Sequence, residues 1–307
     1  MEFDAQQQEV REWLKRRRAI MLAHNYQPGP IQDVADLVGD SLELSMAAAK
    51  TDAEVIVFCG VHFMAETAAI LCPDKTVLLP RTDLGCCLAE SVKVEKLKAR
   101  KEELPGVPVV TYVNSTAAVK AESDICCTSA NAVRVVNSLT DATRVLMVPD
   151  QNLALYVARH TPKSVEIITW EGWCNVHDGL SAEDVQQCRE AHPGVVFIAH
   201  PECNPEVLNL ADAICSTSGM LQYVRQAAAQ EFIIGTEKGI LHRMRQENPG
   251  KLFHSPSKRL VCRPMKRITM GDVLSALKEN RHIIKVPEAT RLKALKAVER
   301  MLAVPRD

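Results

Sequence analysis

Three runs near the start of the chain, AIMLA (19–23), EVIVFCG (54–60) and KTVLLP (75–80), are apolar at nearly every position rather than alternating with polar residues. Continuous apolar runs of this length suit strands covered on both faces, as in a parallel sheet. Between them LELSMAAAK and FMAETAAIL have helix-forming composition, and SVKVEKLKARKEEL closes the segment with charges spaced to pair along a helix. The alternation returns with VPVVTYV, TRVLMVP and SVEIITW, and again with GVVFIAH, EFIIGTE and a weaker KRLVC. Strands alternating with helices predict parallel sheets under helical cover, joined by right-handed crossovers. Each copy reads as three strands and three helices.

The copies are in register. Cys86, Cys174 and Cys262 follow one another at a constant step of 88 residues. On the same step fall Asp36, Asp124 and Asp212; Ser41, Ser129 and Thr217; and His24, Tyr112 and His200, with Tyr26, Asn114 and Glu202 two residues further on. Pro105-Gly106 recurs as Pro193-Gly194. Agreement across so many residue types indicates a triplicated unit, too long for an ordinary solenoid repeat, so that each copy is a small domain. The expected boundaries are 1–104, 105–192 and 193–307, the last comprising the third repeat and a C-terminal helix. AQQQEVREWLKR sits one period before the helix expected near 93–103, so the chain begins inside a repeat. The helix within residues 1–17 is expected to pack with the third repeat, closing three αβα domains into a ring.

In parallel α/β units, ligands bind beyond the carboxyl ends of the strands, where the His24, Tyr112 and His200 positions and the cysteine positions all fall. Three soft thiolates converging on one axis suit an iron–sulfur cluster with one open iron, able to act as a Lewis acid, or a zinc ion with an open position. No close C-x-x-C pair appears, which disfavours an ordinary structural zinc site, and simple packing of the cysteines is the alternative to both. Ser41, Ser129 and Thr217 sit in helix N-cap context, suited to carboxylate or phosphate oxygens or to capping alone. Glu202 beside His200 reads as a general base with an orienting neighbour. His177, three residues after Cys174, reads either as a group near a metal or as a polar loop residue.

Composition narrows the classes. The net charge is −1 and the pI about 6.8, so no overall field attracts nucleic acid or anionic membrane. The cluster KRRR (15–18) suits the C-terminal end of a helix. No apolar run approaches membrane-spanning length, and MEFDAQQQEVREW lacks the pattern of a signal segment, so a cytoplasmic protein is expected. Eleven cysteines, an odd number in a chain with an adequate core, argue against a secreted disulfide framework.

The segments AHNYQ, GVHFMAET, GCCLA, ICCTSANAV, VPDQNLA, CNVH, AHPECNPEV, STSGM, GTEKGIL and CRPMK, in that order from about residue 19 to 280, resemble quinolinate synthase. The resemblance implies three αβα domains around a pseudo-threefold axis. It also implies a 4Fe-4S cluster held by one cysteine per domain, and condensation of iminoaspartate with dihydroxyacetone phosphate to quinolinate, with release of phosphate and water, in NAD synthesis. An L-aspartate oxidase or aspartate dehydrogenase would then supply the iminoaspartate. By motif, Cys86, Cys174 and Cys262 are the implied metal ligands, Cys86 rather than Cys87 because motif and step agree. His24, Ser41, Tyr112, Val113, Asn114, Ser129, His200, Pro201, Glu202 and Thr217 map to substrate-binding positions. Glu202, His200, Tyr26, Tyr112 and His24 are the catalytic candidates, Glu202 the leading acid/base. CRPM stands where CPNM is usual, Asn175 where proline is common, and Cys262 stands alone, which excludes a disulfide there. An open-iron hydro-lyase acting on a small hydroxy-acid, and a cluster-bearing redox sensor, are the rival readings.

Overall fold

A computed structural model, describing residues 4–162 and 164–306, builds the chain into three four-stranded parallel sheets. The first holds β1 (Ala19–His24), β2 (Leu37–Gly39), β3 (Val55–Cys59) and β4 (Thr76–Leu78). The second holds β5 (Val109–Tyr112), β6 (Ile125–Cys127), β7 (Arg144–Val148) and β8 (Glu166–Ile168); the third β9 (Val196–Ala199), β10 (Ala213–Ile214), β11 (Glu231–Gly235) and β12 (Leu252–His254). The strand order is the same in each: β2-β1-β3-β4, β6-β5-β7-β8 and β10-β9-β11-β12. Each order reverses direction between its first and third strands, the crevice where open parallel sheets bind ligands.

Two expectations are corrected. Each copy has four strands, not three: β2, β6 and β10 lie in the segments ADLVGDS, SDICCTS and ADAICST, which echo one another on the 88-residue step. These strands are two or three residues long, too short to show a period. The aspartates on the 88-residue step explain the echo. Asp36 Oδ2 accepts from the backbone N–H of Met21 at 2.8 Å, Asp124 Oδ2 from Val109 at 2.8 Å, and Asp212 Oδ2 from Phe197 at 2.7 Å. They tie each edge strand to the start of its neighbour. Secondly, KRLVC is not a strand: the edge of the third sheet is β12, paired to β11 from Glu231↔Leu252 to Ile233↔His254. Residues 258–262 form an irregular segment in which Leu260 is buried in the third core.

Helices Val94–Glu103, Ala182–Ala191 and Met270–Glu279 are spaced by 88 residues, and each packs on the sheet that follows the one before it. Leu97 joins Val109 and Leu146; Val185 joins Phe197 and Ile233; Val273 and Leu277 join Ile56 and Val57, back on the first sheet. Helix Ala5–Arg16 lies against Met270–Glu279 and adds Val10 and Leu14 to the first core. Helices Ser41–Lys50 and His62–Leu71 also pack together on this sheet, consistent with a helix–sheet–helix sandwich. The last helix, Glu288–Leu302, buries Ala294, Ala297, Val298 and Met301 in the second core. Gly106 and Gly194, also 88 residues apart, have φ of +77° and +78°, so both turns into a first strand need the left-handed region that glycine adopts without strain.

Candidate active site

Loops at the carboxyl ends of all three sheets meet in one cavity of about 740 Å³. Residues on the 88-residue step line it together: His24, Tyr112 and His200; Tyr26, Asn114 and Glu202; Ser41, Ser129 and Thr217; Cys86, Cys174 and Cys262. Two sequence candidates stand apart from this lining. Val113 is fully buried in the second core, its backbone N–H donating to Cys127 O, and Pro201 is a buried turn residue.

His24 and His200 are built alike. The N–H of Tyr26 donates to His24 Nδ1 at 3.2 Å, and the N–H of Glu202 to His200 Nδ1 at 3.3 Å. In a neutral ring this leaves Nε2 as the donor, and His200 Nε2 meets Ser129 Oγ at 3.1 Å. Burial lowers the pKa of both imidazoles, that of His24 to about 4 despite the opposing charge of Asp40. Burial likewise raises the phenols of Tyr26 and Tyr112, with the Glu202 charge adding to the shift, so both are neutral hydroxyls.

The hydroxyls expected in cap positions do not cap. Asp40 caps helix Ser41–Lys50 through Glu43 N, and Ser216 caps Thr217–Gln226 through Gly219 N. Ser41 and Thr217 are therefore first-turn residues whose side chains are spared that task; Thr217 Oγ1 accepts from Asn25 Nδ2 at 3.0 Å. Asp40 is gripped from the far end of the chain by Arg306, at 2.7 and 3.0 Å.

His177, whose role the sequence left open, stands at the centre of a chain of polar groups. Its Nδ1 is 2.9 Å from Glu202 Oε2, close enough for an ion pair though outside hydrogen-bond alignment, and its ring stacks on His200 at 4.5 Å. Its Nε2 meets Thr236 Oγ1 at 2.8 Å, which meets the Tyr26 hydroxyl at 2.6 Å. Burial alone would raise the Glu202 pKa, but the adjoining His177 outweighs it and holds the carboxyl below its usual range. Glu202 Oε1, His177 Nδ1 and Asn114 Oδ1 are buried polar atoms without a hydrogen-bond partner, all on the wall of this cavity. Unpaired buried polar atoms are costly, so the cavity is shaped for a polar ligand.

Each of the three cysteines has its backbone N–H received by a carboxylate: Cys86 by Glu90 Oε1 at 3.3 Å, Cys174 by Asp150 Oδ2 at 3.2 Å, Cys262 by Glu237 Oε1 at 3.2 Å. Asp150 also caps helix Gln151–His160, and Glu237 is held by Lys266 at 2.9 Å. A Cβ at Gly85 would meet Glu90 Oε1 at 2.4 Å, so a side chain there would push aside the carboxylate that receives the Cys86 N–H. Burial raises the three thiols, Cys86 to about 12 and Cys262 to about 11, so only a bound cation would hold them as thiolates. Among the described residues, two groups of possible ligands have their atoms within 4.8 Å of one another, and the three-cysteine set is neither of them. A single zinc at ~2.3 Å from each sulfur would need the sulfurs about 3.8 Å apart. The set has soft donors and is wider than a single zinc needs.

Three parallel sheets converging on one cavity that gathers imidazoles, hydroxyls, thiols and a carboxylate define an α/β enzyme. The family described as "NadA: Quinolinate synthetase A protein" matches residues 8–303. The chain is 55% identical over 307 residues, the full length of both, to "Quinolinate synthase" of Geobacter metallireducens. It is 54% identical to that of Geobacter sp. (strain M21), with 97% of each chain covered, and 53% identical to that of Thermodesulfovibrio yellowstonii, with 94% of this chain and 95% of the other covered. The chain belongs to the quinolinate synthase family, as its motifs suggested. Among the described residues, no helix is long and apolar enough to cross a membrane.

Proposed function

We propose that the chain condenses iminoaspartate with dihydroxyacetone phosphate to quinolinate, releasing phosphate and water, in the cytoplasmic synthesis of NAD. The carrying observation is the meeting, in one cavity, of three cysteines from three sheets with three unpartnered polar atoms. In this reading Cys86, Cys174 and Cys262 hold a 4Fe-4S cluster, the three repeats stand around a pseudo-threefold axis, and the domains divide near 104 and 192. When bound, the cluster supplies an open iron able to polarise a substrate oxygen and ease loss of water.

The chain's own groups bind and move protons. Neutral His24 and His200 present Nε2–H to carboxylate or phosphate oxygens, with Ser41, Ser129 and Thr217 adding hydroxyls. Lys258, Arg259 and Arg263 on the cavity wall attract anionic substrates. Glu202 with His177 takes a proton at its free Oε1 during imine formation and ring closure, and Thr236 and Tyr26 offer a path by which His177 Nε2 passes it on. Asn114 Oδ1 is the acceptor for a substrate N–H.

Anaerobic purification of wild type, Cys86→Ala and Glu202→Gln tests the reading. About four irons per chain in wild type, loss of the broad visible absorbance in Cys86→Ala, and quinolinate formed only when dihydroxyacetone phosphate is present would support it. Glu202→Gln should keep its iron and lose at least about 100-fold in turnover. Zinc instead of iron, or dehydration of a hydroxy-acid without phosphate release, would replace it by the rival readings.

A further inference from the structure

Of the two ligand groups within 4.8 Å among the described residues, one lies in the cavity and the other is His192, Glu231 and His254, none of which lines it. They come from three elements. His192 is the C-cap of helix Ala182–Ala191, Glu231 opens β11 and His254 ends β12. His192 Nδ1 stands 2.8 Å, and His254 Nε2 2.7 Å, from the same oxygen, Glu231 Oε1, and the two rings stack with centroids 3.6 Å apart. Side-chain exposures of 32%, 36% and 24% leave the group open to solvent.

Two imidazole nitrogens and a carboxylate oxygen from three elements thus stand close enough together to share one ion. We propose that these three side chains form a second metal site, for a divalent transition cation such as zinc, nickel or cobalt, separate from the cavity. Two imidazole nitrogens and a carboxylate oxygen are the donor set of a zinc site with an open, water-filled position. Bonds of ~2.0–2.1 Å place tetrahedral ligand atoms about 3.3 Å apart. That room is made by swinging the Glu231 carboxylate back and parting the two stacked rings. The ion staples the end of helix Ala182–Ala191 to β11 and to β12, the edge strand of the third sheet, which is three residues long and paired on one side only. The positions 88 residues earlier are Leu104, Thr143 and Glu166, so the group is peculiar to this copy.

The test is zinc binding by equilibrium dialysis, with a thermal melt, on anaerobic wild type and on His254→Ala, His192→Ala and Glu231→Gln, with iron content measured in each. Wild type should bind one zinc equivalent at micromolar free metal and melt higher with zinc than without. Each variant should keep its iron, lose the melting shift, and lose more affinity than the ~10–100-fold that removing a group merely backing a ligand costs. Wild type retaining no zinc at that concentration, or variants retaining both the equivalent and the shift, would overturn the site.

Discussion

At His24, burial and charge act in opposite directions on one ring. Burial favours the neutral form, nearby Asp40 the charged one, and burial prevails, setting the pKa at about 4 against an unfolded value near 6.5. Between those values the unfolded chain binds the extra proton, so stability is present in full above about pH 6.5 and falls as the pH drops toward 4, by up to ~3 kcal/mol from this group. Denaturant unfolding measured from pH 7 to 4 should show that slope, and His24→Gln should flatten it. Legibility at this scale followed the step of 88. His24, His200 and Glu202 could be singled out because polar residues recur at their positions. His177 showed only through its place three residues after Cys174, with its role open, and Thr236 not at all: the positions equivalent to His177 hold Ala89 and Met265, and those of Thr236 hold Gly60 and Val148. A group that serves the asymmetric ligand has no echo in the other copies, and its role is read from proximity in three dimensions.

The elements that carry the cysteines are loops, and carboxylates give those loops their shape. Asp150 illustrates the device: one oxygen caps a helix at Leu153 N, 2.7 Å away, and the other receives Cys174 N. Two substitutions separate the roles. Asp150→Ala removes both and should cost about 1–2 kcal/mol in denaturant unfolding. Asp150→Asn keeps a capping oxygen but turns an N–H₂ toward the Cys174 amide, so it should stay near wild type in stability while retaining less iron after anaerobic gel filtration. Equal iron in Asn and wild type would reduce Asp150 to a helix cap. The long apolar strands were readable because a covered parallel strand is apolar throughout, as in VIVFC and RVLMV. The short edge strands were not, and KRLVC misled because a buried Leu260 between exposed Arg259 and half-buried Val261 has strand composition, while β11 already pairs with Leu252–His254.

Over the whole molecule the repeats share their cores unequally. The third sheet packs with residues of its own copy and with Val176, Leu180 and Val185 from the copy just before it. The first sheet depends on Val273 and Leu277 from the far end of the chain, and the second on Ala294, Ala297, Val298 and Met301. The 88-residue step showed that the helix before the first strand pairs with the third repeat, and a C-terminal helix was expected, but nothing in the pattern said that this helix, Glu288–Leu302, fills the second core. Truncation should therefore act at a distance in sequence. A chain ending at residue 287 leaves β6 and its neighbours without four fully buried side chains, and even Met301→Ala alone should cost about 2–5 kcal/mol. Because the first two sheets borrow their cover from the C-terminus, the full chain should unfold in one transition, coincident by far-ultraviolet circular dichroism and tryptophan fluorescence. An isolated fragment 105–192 should lack cooperative folding, since its sheet would expose the surface that the last helix covers. A fragment that melted sharply by itself would mean that each copy carries its own core, and that ring closure adds shape to the cavity but little stability.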